Sequence, residues 1–376
     1  MAGSIKKLDK NKYKVRLYMG LVNGKRKYHC KTINGNKKLA EQYLNEKLRE
    51  KYLGGYAEPS KMLLADHINE WFEKEVKTRV KAKTYQNYSD LVKYYIEPAL
   101  GEAMLSNISA VQIKELYNKM IEDGLSPKTV KNVHGVLSNT LKQAVIWGRL
   151  RKNPAEQVTL PRQEKKEILF LSNEESIQFL EAIIYSRWKA LFSLLITSGM
   201  RPGEALGLKW KDIDFEVERI SINRSLSRVG SIWSLEDPKN QNSRRSIPIS
   251  SVVLQDLKEH KEIQDEEKSK LKENEYKDYG FVFANKYGEP LAESNILKRH
   301  LKPILQEAGL PPITLYGLRH TCATLLLSAG EHVKIVSERL GHKSIVVTMD
   351  VYSHVLPDMQ KTAVKKLDDI LFNNKD

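Results

Sequence analysis

The hydrophobic period of this chain changes along its length, and that change limits the possible folds more than any single motif. Residues 1–36 alternate polar and apolar through KYKVRLYMG and KRKYHCKTI, the two-residue period of strands with one covered face. Between them lies VNGK, in which Asn23-Gly24 is a strong hairpin signal. A second turn, INGN, leads into KKLAEQYLNEKLREKYL, where Leu39, Tyr43, Leu44 and Leu48 recur at helical spacing. The expectation is a small sheet backed by one helix, followed by GGYAEPS as a linker.

From about Leu64 to Gly148 the period is helical throughout. LADHINEWFEKEV puts Ile68, Trp71 and Phe72 on one face, and KAKTYQNYSDLVKYYIEPAL reads as a basic, tyrosine-rich helix stopping near Pro98. SAVQIKELYNKMIEDG ends at Gly124, and the next helix opens with Ser126 as N-cap and Pro127 at its first position. This makes a four-helix module with lysines at helix starts. A polar, proline-bearing connection, residues 151–164, leads to a third, mixed segment. There Ser172 and Glu175 form a capping box, and RWKALFSLLITSG is an apolar helix closed by Gly199. ERISINRS, SIWSLE and RRSIPIS read as three short antiparallel strands. Helices return from Val252 through Lys272 and after Ala292, Leu315, Glu331 and Ser344. The chain is therefore multidomain, mainly α with small β-sheets (α+β).

Its 376 residues suffice for two or three cores. No apolar run approaches the ~20 residues of a membrane span, and the N-terminus lacks the apolar stretch of a signal peptide. Cys30 and Cys322 are far apart in sequence, so neither a disulfide scaffold nor a cysteine zinc site is expected, and a cytoplasmic setting fits. The net charge of +15 is uneven: residues 1–60 hold 15 Lys/Arg against 5 Asp/Glu, the other 316 hold 47 against 42. Such a basic block suits nucleic acid; a merely solvated surface is the plainer reading. Candidate phosphate contacts are Lys6, Lys7, Lys12, Lys14, Arg16, Lys25, Arg26 and Lys27, then Lys81, Lys83, Lys128 and Lys131 at helix starts.

Four polar spots interrupt the third segment. In TSGMRPGEALGL, Arg201 follows a helix end and Glu204 lies near the next helix start, so the carboxylate can hold a guanidinium aimed at a phosphate. Lys239 lies in the turn DPKNQNSRRSIP. TLYGLRHTCATLLL reads as a buried helix, yet Tyr316, Arg319 and His320 stand in its first turns; a buried, unpaired arginine is costly, which points to an anion. In ERLGHKSIVVTMDVYSHV, Gly341-His342 closes one helix and Tyr352 lies in the next. Each spot alone also fits a plain role: a surface ion pair, a solvated lysine, a packed tyrosine. His320, His332, His342 and His354 form no clustered ligand set, so no metal is expected.

Taken together, the order R…K…YxxR…H…Y, with RPGE, LRHT and LGH as local contexts, resembles the tyrosine recombinase (phage integrase) family over nearly the whole chain. The resemblance implies four parts. Residues 1–57 would be an arm-site DNA-binding domain, a three-stranded sheet plus helix. Residues 64–150 would be an all-α, SAM-like core-binding domain and 165–360 a mixed α+β catalytic domain. Residues 361–376 would be a tail whose Val364, Leu367, Ile370 and Leu371 could pack on a neighbouring subunit. It makes Tyr352 the nucleophile, Arg201 and Arg319 the grip on the scissile phosphate, Lys239 the general acid, His342 a phosphate or orienting contact, and Glu204 the support of Arg201. Tyr316 stands where the family most often has histidine, and it is assigned a hydrogen bond to the phosphate. A 3′-phosphotyrosyl intermediate and a Holliday junction follow, with neither metal nor nucleotide cofactor.

The implied partners are double-stranded DNA at core and arm attachment sites, three further copies in a homotetramer, an excisionase and a host DNA-bending protein, in a bacterial cytoplasm at the nucleoid. The rivals are an inversion or resolution recombinase of the same family and a relative that binds DNA without cutting it.

Overall fold

The computed structural model describes residues 3–22, 25–52, 62–164, 168–236, 244–272 and 275–352, with 364, 367–368 and 371–372. The chain divides into two compact units, Met1–Lys165 and Lys166–Asp376. Among the described residues no helix is long and apolar enough to cross a membrane.

The first unit opens with an antiparallel sheet of order β1 (Gly3–Asp9), β2 (Lys12–Val22) and β3 (Lys25–Asn34), backed by α1 (Lys37–Tyr52). Val15 and Leu17, two residues apart, are buried, as strand alternation requires of the covered face. Gly3 admits α1 closely: a Cβ there would stand 2.6 Å from Leu44 Cδ1. On the opposite face Arg16 lies 3.7 Å over the Tyr28 ring. The Asn23-Gly24 turn falls outside the described residues, and Val22 pairs with Lys25 across it.

Four helical runs follow. The first is α2 (Leu64–Trp71), a π turn (Phe72–Val76) and α3 (Lys77–Arg79); the second is α4 (Ala82–Leu91), a π turn (Val92–Ile96) and α5 (Glu97–Leu100). This second helix runs past Pro98 rather than stopping there. Pro98 has no N–H to donate, and the wide turn just before it, closed by the Glu97 N–H on the Val92 carbonyl, accommodates the ring. Next, α6 (Ala110–Glu122) is capped by Ser109 and Gln112, and α7 (Pro127–Ile146) by Ser126. Ile68, Trp71, Ile96, Ile113, Tyr117, Val133 and Leu137 form the core, each burial stabilising by about 1.5–3 kcal/mol. His67 is fully buried: its Nδ1 accepts from Arg149 Nη1 at 2.8 Å, so Nε2 carries the proton and donates to the Thr140 carbonyl at 3.0 Å. The packing continues beyond residue 150, with Ala155 buried in this core and Val158 and Leu160 against it.

The second unit is built around α9 (Lys189–Ser198), nearly all of whose residues are buried. Before it comes α8 (Asn173–Ala182), with the Ser172–Glu175 capping box in place; after it come α10 (Pro202–Leu206) and five strands. These are β4 (Ile213–Asp214), β5 (Arg219–Ile222), β6 (Ser225–Val229), β7 (Ile232–Glu236) and β8 (Arg245–Pro248). They form two sheets, β4-β5-β8 and the β6-β7 hairpin, instead of one set of three strands. The stretch ERISINRS is divided because Asn223 and Arg224 both turn onto the buried Asp212 carboxylate, which lets β6 leave the first sheet. Helices α11 (Ser251–Ser269), α12 (Glu293–Ile296), α13 (Lys302–Glu307), α14 (Leu315–Ser328), α15 (Val333–Leu340) and α16 (Ile345–Tyr352) complete the unit, with α14, α11 and α10 against α9.

Candidate phosphate site

The C-terminus of α9 organises the site. Gly199 ends the helix at φ +65°, and a Cβ there would lie 2.6 Å from Leu340 Cδ2 and 3.3 Å from Cys322 Sγ, so both conformation and space call for glycine. The last carbonyls of α9 carry the negative end of the helix dipole. Cys322 Sγ and Arg339 Nη2 donate to the Thr197 carbonyl at 3.3 and 3.0 Å, and Arg319 Nη1 donates to the Gly199 carbonyl at 2.6 Å. The Gly199 carbonyl is one partner with which α14 holds Arg319, which is only 3% exposed.

Two residues after Gly199, Arg201 is the N-cap of α10, and its Nη1 donates to Glu204 Oε1 at 2.7 Å. Its Nη2 reaches the Gly341 carbonyl at 3.0 Å, 140 residues away in sequence. Glu204 is itself buried and also holds Arg245. Burial pushes the Glu204 carboxyl up, but Arg245 and Arg201 more than reverse this and keep it ionised below its ordinary range.

His342 is delivered by the turn that ends α15. Gly341 has φ +67°, and the His342 N–H reaches back to the Ser337 carbonyl at 3.0 Å, a Schellman closure. Its Nδ1 lies 2.7 Å from Oγ1 of Thr348, a fully buried residue of α16. Burial, then the neighbouring Arg319, Arg201 and Arg245, pull its imidazole down to about 4, so it is neutral at pH 7. Thr348 stands one turn before Tyr352, the last residue of α16. The Tyr352 side chain and the whole of Lys239 lie outside the described residues.

Tyr316 is 43% exposed in the first turn of α14. Burial of part of its ring and nearby Glu293 raise its hydroxyl above the usual phenol value, against the lowering by Arg201 and Arg319. The Tyr316 hydroxyl thus feels the charges of both arginines. His320 is lowered by burial and by Arg319.

The basic residues read from the sequence separate into groups. Lys6, Lys12, Lys14, Arg16 and Arg26 lie on the sheet face away from α1, whereas Lys7 falls on the other face, opposite Tyr13. The side chains of Lys25 and Lys27 lie outside the described residues. Lys81 and Lys83 open α4 beside a groove lined by Arg79, Asn139, Lys142 and Ile146, while Lys128 and Lys131 are exposed on the first turns of α7, about 20 Å away along its axis. In the tail, Val364, Leu367 and Leu371 are exposed, and Ile370 lies outside the described residues. The sequence reading missed Arg245, whose one visible signal was a second arginine before the apolar pattern SIPI. Among the described residues no group of three His, Cys, Asp or Glu side chains gathers to hold a metal.

Two arginines meet at the end of α9, and the turn that accepts from Arg201 presents a neutral histidine tied to a tyrosine-bearing helix, an arrangement with the chemistry to hold a phosphodiester. The sequence model of the Phage integrase family matches residues 163–359, and that of the Phage integrase, N-terminal SAM-like domain, residues 63–121. The chain is 35% identical to a "Tyrosine recombinase XerC-like" protein of Caldanaerobacter subterraneus subsp. tengcongensis, covering 97% of both. It is 29% identical to the ICEBs1 integrase of Bacillus subtilis, over 98% of this chain and 100% of that one. The solved structure of the Tn1549 transposon integrase in complex with transposon right end DNA superposes with a TM-score of 0.69 at 23% identity, over 81% of this chain and 99% of that one. A lambda integrase tetramer bound to a Holliday junction gives 0.56 at 20%, over 90% and 97%. The chain belongs to the phage integrase family: it is a tyrosine recombinase, an enzyme that cleaves and rejoins DNA.

Proposed function

We propose that this recombinase integrates and excises a mobile element, a phage or an integrative conjugative element, through a 3′-phosphotyrosyl intermediate and a Holliday junction. The observation that carries this reading is the convergence of Arg201, Arg319 and His342 at the end of α9, with His342 bonded to the helix that ends in Tyr352. In this reading Tyr352 attacks phosphorus as the phenolate that neighbouring cations favour, its proton released to solvent, and the 5′ oxygen leaves. Arg201 and Arg319 take up the charge that grows on the non-bridging oxygens. Lys239 protonates the leaving oxygen. His342, neutral and with Nδ1 occupied by Thr348, turns Nε2 to the phosphate. The covalent ester conserves the bond energy, so religation needs no nucleotide.

Four copies would act on two duplexes, the tail of each against a neighbour, with an excisionase and a host DNA-bending protein setting direction, at the nucleoid of a bacterial cytoplasm. The ICEBs1 integrase and the Tn1549 structure support the mobile-element assignment by likeness. The direct test is a nicked duplex carrying the crossover sequence: the wild-type chain should trap itself on the 3′ phosphate, as a band stable in denaturing gels and undiminished by chelators. Absence of such an adduct on any crossover duplex would refute the reading.

The basic face of the N-terminal sheet would engage a second class of DNA site. Deleting residues 1–57 removes 15 Lys/Arg against 4 Asp/Glu and should abolish salt-steep, high-affinity binding to arm sites, leaving core-site cleavage. An unchanged salt slope would disprove the arm role.

Tyr316 would donate one hydrogen bond to a phosphate oxygen. Tyr316→Phe should slow cleavage by about ten- to a hundredfold, the cost of one charge-assisted donor. Tyr316→His should keep substantial activity and add a titration to the rate profile at acidic to neutral pH. Full activity in Tyr316→Phe would mean that the ring matters and the hydroxyl does not.

A further inference from the structure

The buried Glu204 carboxylate holds two guanidinium groups at once. Oε1 receives Arg201 Nη1 at 2.7 Å and Arg245 Nη1 at 3.3 Å; Oε2 receives Arg245 Nη2 at 2.9 Å and the Arg201 backbone N–H at 3.0 Å. The Arg245 side chain is 8% exposed and Glu204 is 3% exposed, whereas that of Arg201 is 30% exposed. Arg245 Nε donates to the Arg339 carbonyl at 2.7 Å, and a Cβ on Gly341 would stand 2.7 Å from Arg245 Nη1. The arginine is thus clamped between the carboxylate and the turn that presents His342, and of the two guanidinium groups on Glu204, that of Arg201 is the more open to solvent.

We propose that Arg245 is a positioning residue for recombination: it neutralises Glu204, so that the charge of Arg201 remains available to the scissile phosphate. The proposal rests on the assignment of Arg201 to that phosphate. A carboxylate paired with one arginine cancels it; paired with two, it leaves a net positive charge on the trio. That residual charge acts on the growing negative charge of the transition state at short range. Arg245 also grips both oxygens of Glu204, Nη1 on Oε1 and Nη2 on Oε2, which fixes the carboxylate where it holds Arg201. Through the Arg339 carbonyl the same side chain steadies the end of α15, two residues before Gly341.

The test is charge compensation, read as the single-turnover rate of covalent adduct formation on a nicked crossover duplex. Arg245→Met should slow cleavage by about a hundredfold, and Arg245→Lys, which keeps the charge and loses the fork, by about tenfold. Adding Glu204→Gln to Arg245→Met removes the surplus negative charge and should restore at least about tenfold of the loss. With a methylphosphonate linkage, which carries less charge, Arg245→Met should lose less than on the phosphodiester. A double variant no faster than Arg245→Met would overturn the proposal and leave Arg245 a structural clamp. Should Arg245→Met fail to fold, the double variant decides: cleavage within about thirtyfold of wild type supports compensation, while slower cleavage or failure to fold refutes it. Wild-type protein that forms no adduct would instead strike the phosphotyrosyl reading on which the proposal rests.

Discussion

Tyr352→Phe is expected to bind core-site DNA as the wild type does and to form no covalent adduct, a loss of at least about a thousandfold. In the proposed reading the phenol oxygen is the atom that bonds to phosphorus, and the ring alone supplies no nucleophile. Binding should survive because Arg201 and Arg319, the cations proposed to hold the phosphate, are untouched, and because Thr348 still fastens α16 to His342 at 2.7 Å. Incubation of labelled, nicked duplex with the variant, followed by a denaturing gel, gives the answer. An adduct that persists in Tyr352→Phe would move the nucleophile elsewhere, with Tyr316 the first residue to examine.

Arg319→Ala should reduce cleavage by about a thousandfold, and Arg319→Lys by about a hundredfold. Two effects add. The guanidinium has one nitrogen committed to the Gly199 carbonyl at 2.6 Å, and its planar fork matches a phosphate in a way that a point-charge ammonium does not. A lysine ammonium at the same place must serve either the carbonyl or the phosphate well. Alanine goes further and leaves the end of α9 with one fewer donor in a buried setting, so it should also lower the melting temperature, whereas lysine should lower it less. Rate and melting temperature measured on both variants separate these contributions. Arg319→Lys cleaving at the wild-type rate would rule out bidentate use of this arginine.

The local devices of this site are legible from sequence because each is decided within one or two helical turns. Gly199 and Gly341 end helices at positive φ, and Ser172 with Glu175 opens α8 as a capping box. The apolar periods likewise fix which segments are helices and which are strands, since burying one face imposes 3.6 or 2 residues per repeat. Even the resemblance to tyrosine recombinases rests on short local contexts, RPGE, LRHT and LGH.

What only the tertiary structure decides is partnership. The pairing of Glu204 with Arg245 joins residues 41 apart, and Arg201 meets Gly341 across 140; no periodicity spans such distances, and charge pairing in sequence is degenerate among 62 Lys/Arg and 47 Asp/Glu. Strand pairing is decided the same way: alternation marks β5, β6 and β8 equally, and the buried Asp212 carboxylate determines where the chain leaves one sheet for the next. Pro98 continues a helix only because the preceding turn widens. Arg319 looks unaffordable in an apolar helix until the carbonyl end of α9 is brought against it, since the energy of a buried charge depends on what surrounds it rather than on what precedes it in the chain.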